Sequence, residues 1–181
     1  ELVIGVTGCM AQKEAEQLVE KMPHVDLVLG TRAIARLSPL LDRVIASGEP
    51  QVCTEILDES YPADIIPVRQ RPLKGLVNII FGCNKSCSYC IVPKTRGREM
   101  SRPWREITRE CIHLAGHGYR EITLVGQNVN SYRQQNEGTR SFGNLLRRIN
   151  DVLSNHHNPD ASTAWIRYIT SHPRDCNEAH I

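Results

Sequence analysis

A nearly unbroken apolar run, Leu76 to Phe81, leads through Gly82 into a short loop that holds Cys83, Cys87 and Cys90, and this junction limits the possible folds more than any other stretch. An apolar run of that length suits a strand of a parallel sheet covered on both faces. Thiolates spaced four and three residues apart on a loop at its carboxyl end can hold three irons of a cubane iron–sulfur cluster and leave the fourth open to a substrate or cofactor. A zinc knuckle would need a fourth ligand close by, and Cys111, His113 and His117 fall on what reads as a separate helix. A structural zinc loop and three unrelated core cysteines stand as the alternatives.

The rest of the chain alternates strand and helix patterns. Leu2 to Val6 reads as a strand, Ala11, Ala15, Leu18, Val19 and Met22 as a helix face, and Val25 to Leu29 as the next strand. Ser38 followed by Pro39 reads as a helix N-cap, with Gly48 as the stop. This first part has the pattern of a doubly wound α/β domain that lacks its first strands. Pro62, Pro67 and Pro72 then break regular structure, which places a linker at 55–72 between a domain at 1–54 and another at 73–181. In the second domain Pro103 starts a helix with Trp104, Ile107, Cys111, Leu114 and Ala115 on one side. Ile122 to Val125 is a strand, Phe142 to Leu153 an amphipathic helix, and Trp165 to Ile169 a third strand. Repeated βα units build an open sheet or a barrel, and both collect ligands at the carboxyl ends of the strands. The cysteine loop, the Gly126 turn and the Thr170 turn are all expected there.

A chain of 181 residues with 40% hydrophobic content can bury a core, and no apolar run approaches the roughly 20 residues of a membrane span, so a cytoplasmic protein is expected. Its net charge of +2 gives no global signal for nucleic acid. Local clustering does: Lys94, Arg96, Arg98, Arg102 and Arg105 crowd one stretch, either as a solvated face or as a guide for phosphates. Seven cysteines, an odd number, favour reduced thiols and metal binding over disulfides. The strand-like start at Glu1 and the stop at Ile181 read as cut ends, so a piece of a longer protein, inactive alone, is expected.

Three segments, CNKSCSYCIVPKTRGREMSRP from Cys83 to Pro103, VGQNVNSY from Val125 to Tyr132 and TSHP from Thr170 to Pro173, together resemble the methylthiotransferase branch of the radical S-adenosylmethionine enzymes. The likeness is nearest to the group that makes 2-methylthio-N6-dimethylallyladenosine in tRNA. It implies that the second domain holds the first βα units of a partial (β/α) barrel. It further implies that Cys83, Cys87 and Cys90 carry a [4Fe–4S] cluster, with Tyr89 near the adenine of bound S-adenosylmethionine and Gly126, Gln127 and Asn128 near its methionine end. Cys9, in the turn Gly8-Cys9-Met10-Ala11-Gln12, matches one ligand of a second, auxiliary [4Fe–4S] cluster whose other two ligands lie upstream of Glu1. The implied reaction is methylthiolation at C2 of N6-isopentenyladenosine, position 37 of tRNA. The implied partners are tRNA and an electron donor such as a flavodoxin or ferredoxin, and a monomer is expected. No residue is assigned as catalytic.

Plainer readings exist for each position outside the cysteine loop. A lone cysteine such as Cys9 is usually a small core residue, and Gly126-Gln127-Asn128 can be only a polar turn. His172 can be a satisfied turn residue, and Cys53, Cys111 and Cys176 read as core or incidental. Within the resemblance, another adenosine modification or a ribosomal protein is the alternative substrate.

Overall fold

The structure is a computed structural model that describes residues 2–56, 67, 73–134, 141–155 and 165–176. Most of the linker read at 55–72 lies outside the described residues. The chain divides into two compact units, Glu1–Pro62 with Asn84–Arg98, and Ala63–Cys83 with Glu99–Ile181.

In the first unit β1 (Gly5–Thr7), β2 (Leu27–Leu29) and β3 (Gln51–Cys53) form a parallel sheet in that order. Alternation along β2 explains why helices cover both faces. Val28 points to one side, where Ala11, Leu18 and Val25 bury against Val19 and Met22. Leu27 and Leu29 point to the other, against Leu40, Val44 and Cys53. The first face is served by α1 (Cys9–Glu14) and α2 (Glu16–Lys21), the second by α3 (Leu37–Ser47). The single helix expected over 11–22 is thus two short helices, parted at Ala15 with φ 44°. Ser38 is not a cap: a 3-10 turn at Ile34–Arg36 runs straight into α3, Arg36 takes the N-cap position and Ser38 lies in the first turn. Pro39 fits there because first-turn amides lack intrahelical partners in any case. Gly48 ends α3 with left-handed φ 69°, as its sequence position suggests. One element had no periodic signal, the four-residue α4 (Val92–Thr95).

The second unit is a parallel sheet of β4 (Lys74–Asn78), β7 (Glu121–Val125) and β8 (Trp165–Tyr168), with β7 in the middle. The apolar run expected as one strand is shared between two sheets. Ile79 donates its N–H to Val125 O, then turns its carbonyl to the N–H of Arg102, so β5 (Ile80–Phe81) pairs antiparallel with β6 (Met100–Ser101). Helices α5 (Trp104–Gly116) and α6 (Phe142–Ser154) cover one face, where Val77, Ile122 and Leu124 pack with Ile107, Leu114, Leu145 and Ile149. Ser141 caps α6, its hydroxyl accepting from the N–H of Asn144. On the opposite face the described residues are less covered: Thr123 in the middle strand is buried, but Leu76 is 60% exposed and Trp165 71%. At its amino-terminal end Glu121 lies between Lys74 and Arg167, at 3.4 and 3.5 Å. Among the described residues, the cover on both faces expected from the apolar run is complete on one face only.

Candidate cofactor site at the carboxyl ends of the strands

Gly82, at φ 68°, turns the chain out of β5 into an irregular loop over 83–87, and a turn at Ser88–Tyr89 leads toward α4. Cys83, Cys87 and Cys90 are each half-buried, and none of the seven cysteines is in a disulfide. The N–H of Cys90 donates to Cys87 O at 3.0 Å, which closes the second half of the loop into a turn. Tyr89 is 91% exposed. Among the described residues no three His, Cys, Asp or Glu side chains stand in a metal-holding arrangement. The loop thus offers three soft thiol donors of the type an iron–sulfur cluster takes, in the right spacing and partly accessible. By residue type and sequence spacing the donor set fits such a cluster.

The GQN and TSHP segments meet in the second unit. Thr170, a non-glycine residue at φ 66°, donates from Oγ1 to Gly126 O at 2.5 Å, and its own carbonyl accepts from the N–H of Val129 at 3.0 Å. Asn128 is buried and its amide is committed at both ends. Oδ1 accepts from the N–H of His172 at 3.1 Å and Nδ2 donates to Asp175 at 2.6 Å. His172 Nδ1 in turn accepts from the N–H of Arg174 at 3.2 Å. Asn130 Nδ2 lies 3.1 Å from Cys176 Sγ. Asp175 and Cys176, which carry no motif signal, are therefore part of this network.

Gly126 is needed for space: a Cβ there would fall 2.8 Å from Ile80 O and closer still to Ile80 Cγ2. Gln127 differs from its neighbours, for its Oε1 is buried with no hydrogen-bond partner among the described residues, as is Asn78 Oδ1 at the end of β4. Buried acceptors are normally satisfied, so two orphans at the carboxyl end of one parallel sheet fit a ligand that brings N–H or O–H donors. The amino group and ribose hydroxyls of S-adenosylmethionine meet that description.

The basic stretch splits. Lys94, Arg98 and Arg105 are exposed, and Arg105 lies over the Trp104 ring at 5.0 Å. Arg102 is 7% exposed, pairs with Glu110 at 2.5 Å and Glu106 at 3.4 Å, and donates to Asn78 O at 3.2 Å. It belongs to the core rather than to a phosphate-facing surface. Tyr132 bonds to the Arg102 carbonyl at 2.8 Å, and burial pushes its phenol well above the usual range.

In the first unit Cys9 is half-buried at the start of α1, directly after Gly8 at φ 100°. Ala11 is fully buried, and Gln12 spans two strand ends: Nε2 donates to Thr54 O at 2.5 Å while Oε1 accepts from the N–H of Thr31 at 3.1 Å. A Cβ on Gly30 would strike Gln12 Oε1 and stand 3.0 Å from Thr54 Cα. Three of the five residues in Gly8–Gln12 thus have a structural reason of their own. No helix among the described residues is long and apolar enough to cross a membrane.

Known proteins give the same direction. A tRNA-2-methylthio-N(6)-dimethylallyladenosine synthase of Protochlamydia amoebophila (strain UWE25) is 41% identical over 179 residues, covering 98% of this chain and 38% of that protein. Synthases of the same name from Carboxydothermus hydrogenoformans and Bacillus mycoides (strain KBAB4) are 41% and 40% identical, again over 98% of this chain but 39% and 34% of their own lengths. The chain spans between a third and two-fifths of these relatives. Among solved structures, the radical S-adenosylmethionine methyltransferase TsrM of Kitasatospora setae superposes on 48% of this chain and 15% of its own, with TM-score 0.37 and 25% identity, too little to bear on the fold. Residues 77–174, more than half the chain, match the radical SAM superfamily, and on that match the chain belongs to this superfamily.

Proposed function

We propose that the protein is a tRNA methylthiotransferase acting at C2 of N6-isopentenyladenosine, position 37 of tRNA. The observation that carries this is identity of about two-fifths across 98% of the chain to proteins named for that product. These relatives name neither a ribosomal protein nor another adenosine modification, and a purely structural zinc loop has no counterpart in their names.

Cys83, Cys87 and Cys90 would hold a [4Fe–4S] cluster, which together with S-adenosylmethionine supplies one-electron chemistry capable of breaking an unactivated C–H bond. The chain's own residues bind and orient. Gln127 and Asn78 offer their unpartnered amide oxygens to the donors of S-adenosylmethionine, Gly126 lets the turn lie close to β5, and Asn128 fixes the Thr170–Asp175 segment through His172 and Asp175. Tyr89, exposed beside Cys90, would cover the adenine. Cys9 would contribute one ligand to an auxiliary [4Fe–4S] cluster. The exposed Lys94, Arg98 and Arg105 suit tRNA phosphates. The division into 1–54, 55–72 and 73–181, a monomeric state, a cytoplasmic location and a flavodoxin- or ferredoxin-type donor belong to the same reading. Its test is nucleoside analysis of tRNA from cells lacking the full gene. Isopentenyladenosine without its methylthio derivative is the expected result, and an unchanged profile contradicts the assignment.

A further inference from the structure

Within the first unit, the second half of the cysteine loop is fastened to the small parallel sheet by hydrogen bonds that no motif announces. Thr31, just past the end of β2, donates from Oγ1 to Thr95 O at 2.6 Å. Thr95 is the last residue of α4 and is 2% exposed, and terminal carbonyls of a helix have no partner inside it. The next residue, Arg32, donates from Nη2 to Arg98 O at 2.9 Å. Gly97 between them takes φ 74°, and a Cβ there would lie 3.0 Å from Ile56 Cγ2. Thr31 is itself held, because its N–H donates to Gln12 on α1, the helix that Cys9 begins. On the other side, the amides of Lys94 and Thr95 return to Ile91 O, the residue after Cys90, and Cys90 returns to Cys87.

A helix of four residues has no stability of its own, so α4 depends on what caps it. We infer that Thr31 and Arg32 are positioning residues for the iron–sulfur loop: they cap α4 and its exit, and so hold Cys87 and Cys90 at a fixed place on the sheet that also carries Cys9. The first unit is then the platform of the radical SAM loop as well as the seat of Cys9. The claim about Cys87 and Cys90 as ligands rests on the proposed function; the clamp itself does not.

The test compares Thr31→Val, which keeps the shape and removes the donor, with Thr31→Ser, which keeps the donor. In the chain as it stands, amide exchange at Thr95 and Arg96 should quicken roughly three- to tenfold in Thr31→Val, the value of one ordinary hydrogen bond, and return to normal in Thr31→Ser. After anaerobic reconstitution, Thr31→Val should lose iron to a chelator faster and show an altered paramagnetic resonance spectrum of the reduced cluster, with both restored in Thr31→Ser. Unchanged exchange in Thr31→Val, or no rescue by serine, overturns the inference. Should Thr31→Val fail to fold, Arg32→Gln carries the same comparison at the Arg98 carbonyl. A parent chain that takes up no iron would defeat the cluster reading, while the exchange measurement still decides the clamp.

Discussion

Arg102→Met is expected to destabilise the second unit by about 3–5 kcal/mol, the usual cost of removing one partner from a buried ion pair. The guanidinium is 7% exposed and its partners Glu106 and Glu110 are 26% and 12% exposed, so two carboxylates would be left with little access to water. The same side chain donates to Asn78 O, at the end of β4 and five residues before Cys83. Urea unfolding of the variant against the parent measures the effect. Lys94→Met, an exposed change in the same basic stretch, should stay within about 0.5 kcal/mol. If instead Arg102→Met left stability unchanged and only weakened RNA binding, Arg102 would be a surface cation after all.

Gly126→Ala should cost about 1–3 kcal/mol, and at the upper end of that range. The added methyl meets the backbone carbonyl of Ile80 at 2.8 Å, and backbone cannot swing aside as the tip of a flexible side chain can. Relief requires β5 or the 126–128 turn to move. Movement of β5 shifts the strand from which the cysteine loop hangs; movement of the turn loosens Thr170, which bonds to Gly126 O. Thermal unfolding together with iron retention reports both. A variant as stable as the parent, with unchanged iron retention, would show that the close approach of Gly126 to Ile80 does not constrain the site.

The α/β character was legible because burial repeats in the sequence. Ile107, Cys111 and Leu114 recur at helical spacing and do bury together, as do Phe142, Leu145 and Ile149. The stop at Gly48 was legible from glycine's access to left-handed φ. The three cysteines stand out from spacing alone, since ligand number and chemistry are written locally, but among the described residues no such group stands in a metal-holding arrangement. Other features were not, because they depend on partners far along the chain. The break of the apolar run at Ile79 follows from a change of partner strand, from Val125 to Arg102, that no local pattern encodes. Charge counting put Arg102 with the surface cations, since sequence shows its sign but not the two glutamates one and two turns along α5 that enclose it. Thr31 and Arg32 were silent for the same reason: each acts on a carbonyl more than sixty residues away. Asn128, expected near the cofactor, makes a hydrogen bond within the chain at each end of its amide, whereas the Oε1 of Gln127 beside it has no partner among the described residues; both partnerships depend on the fold.

Cluster binding asks the loop at Cys83, Cys87 and Cys90 to close around one inorganic core. Anaerobic reconstitution with iron and sulfide tests this most directly. The expected result is about four irons per chain with broad absorption near roughly 400 nm, both lost in Cys87→Ala. A colourless chain that keeps one zinc per molecule, or iron uptake indifferent to Cys87, would contradict it.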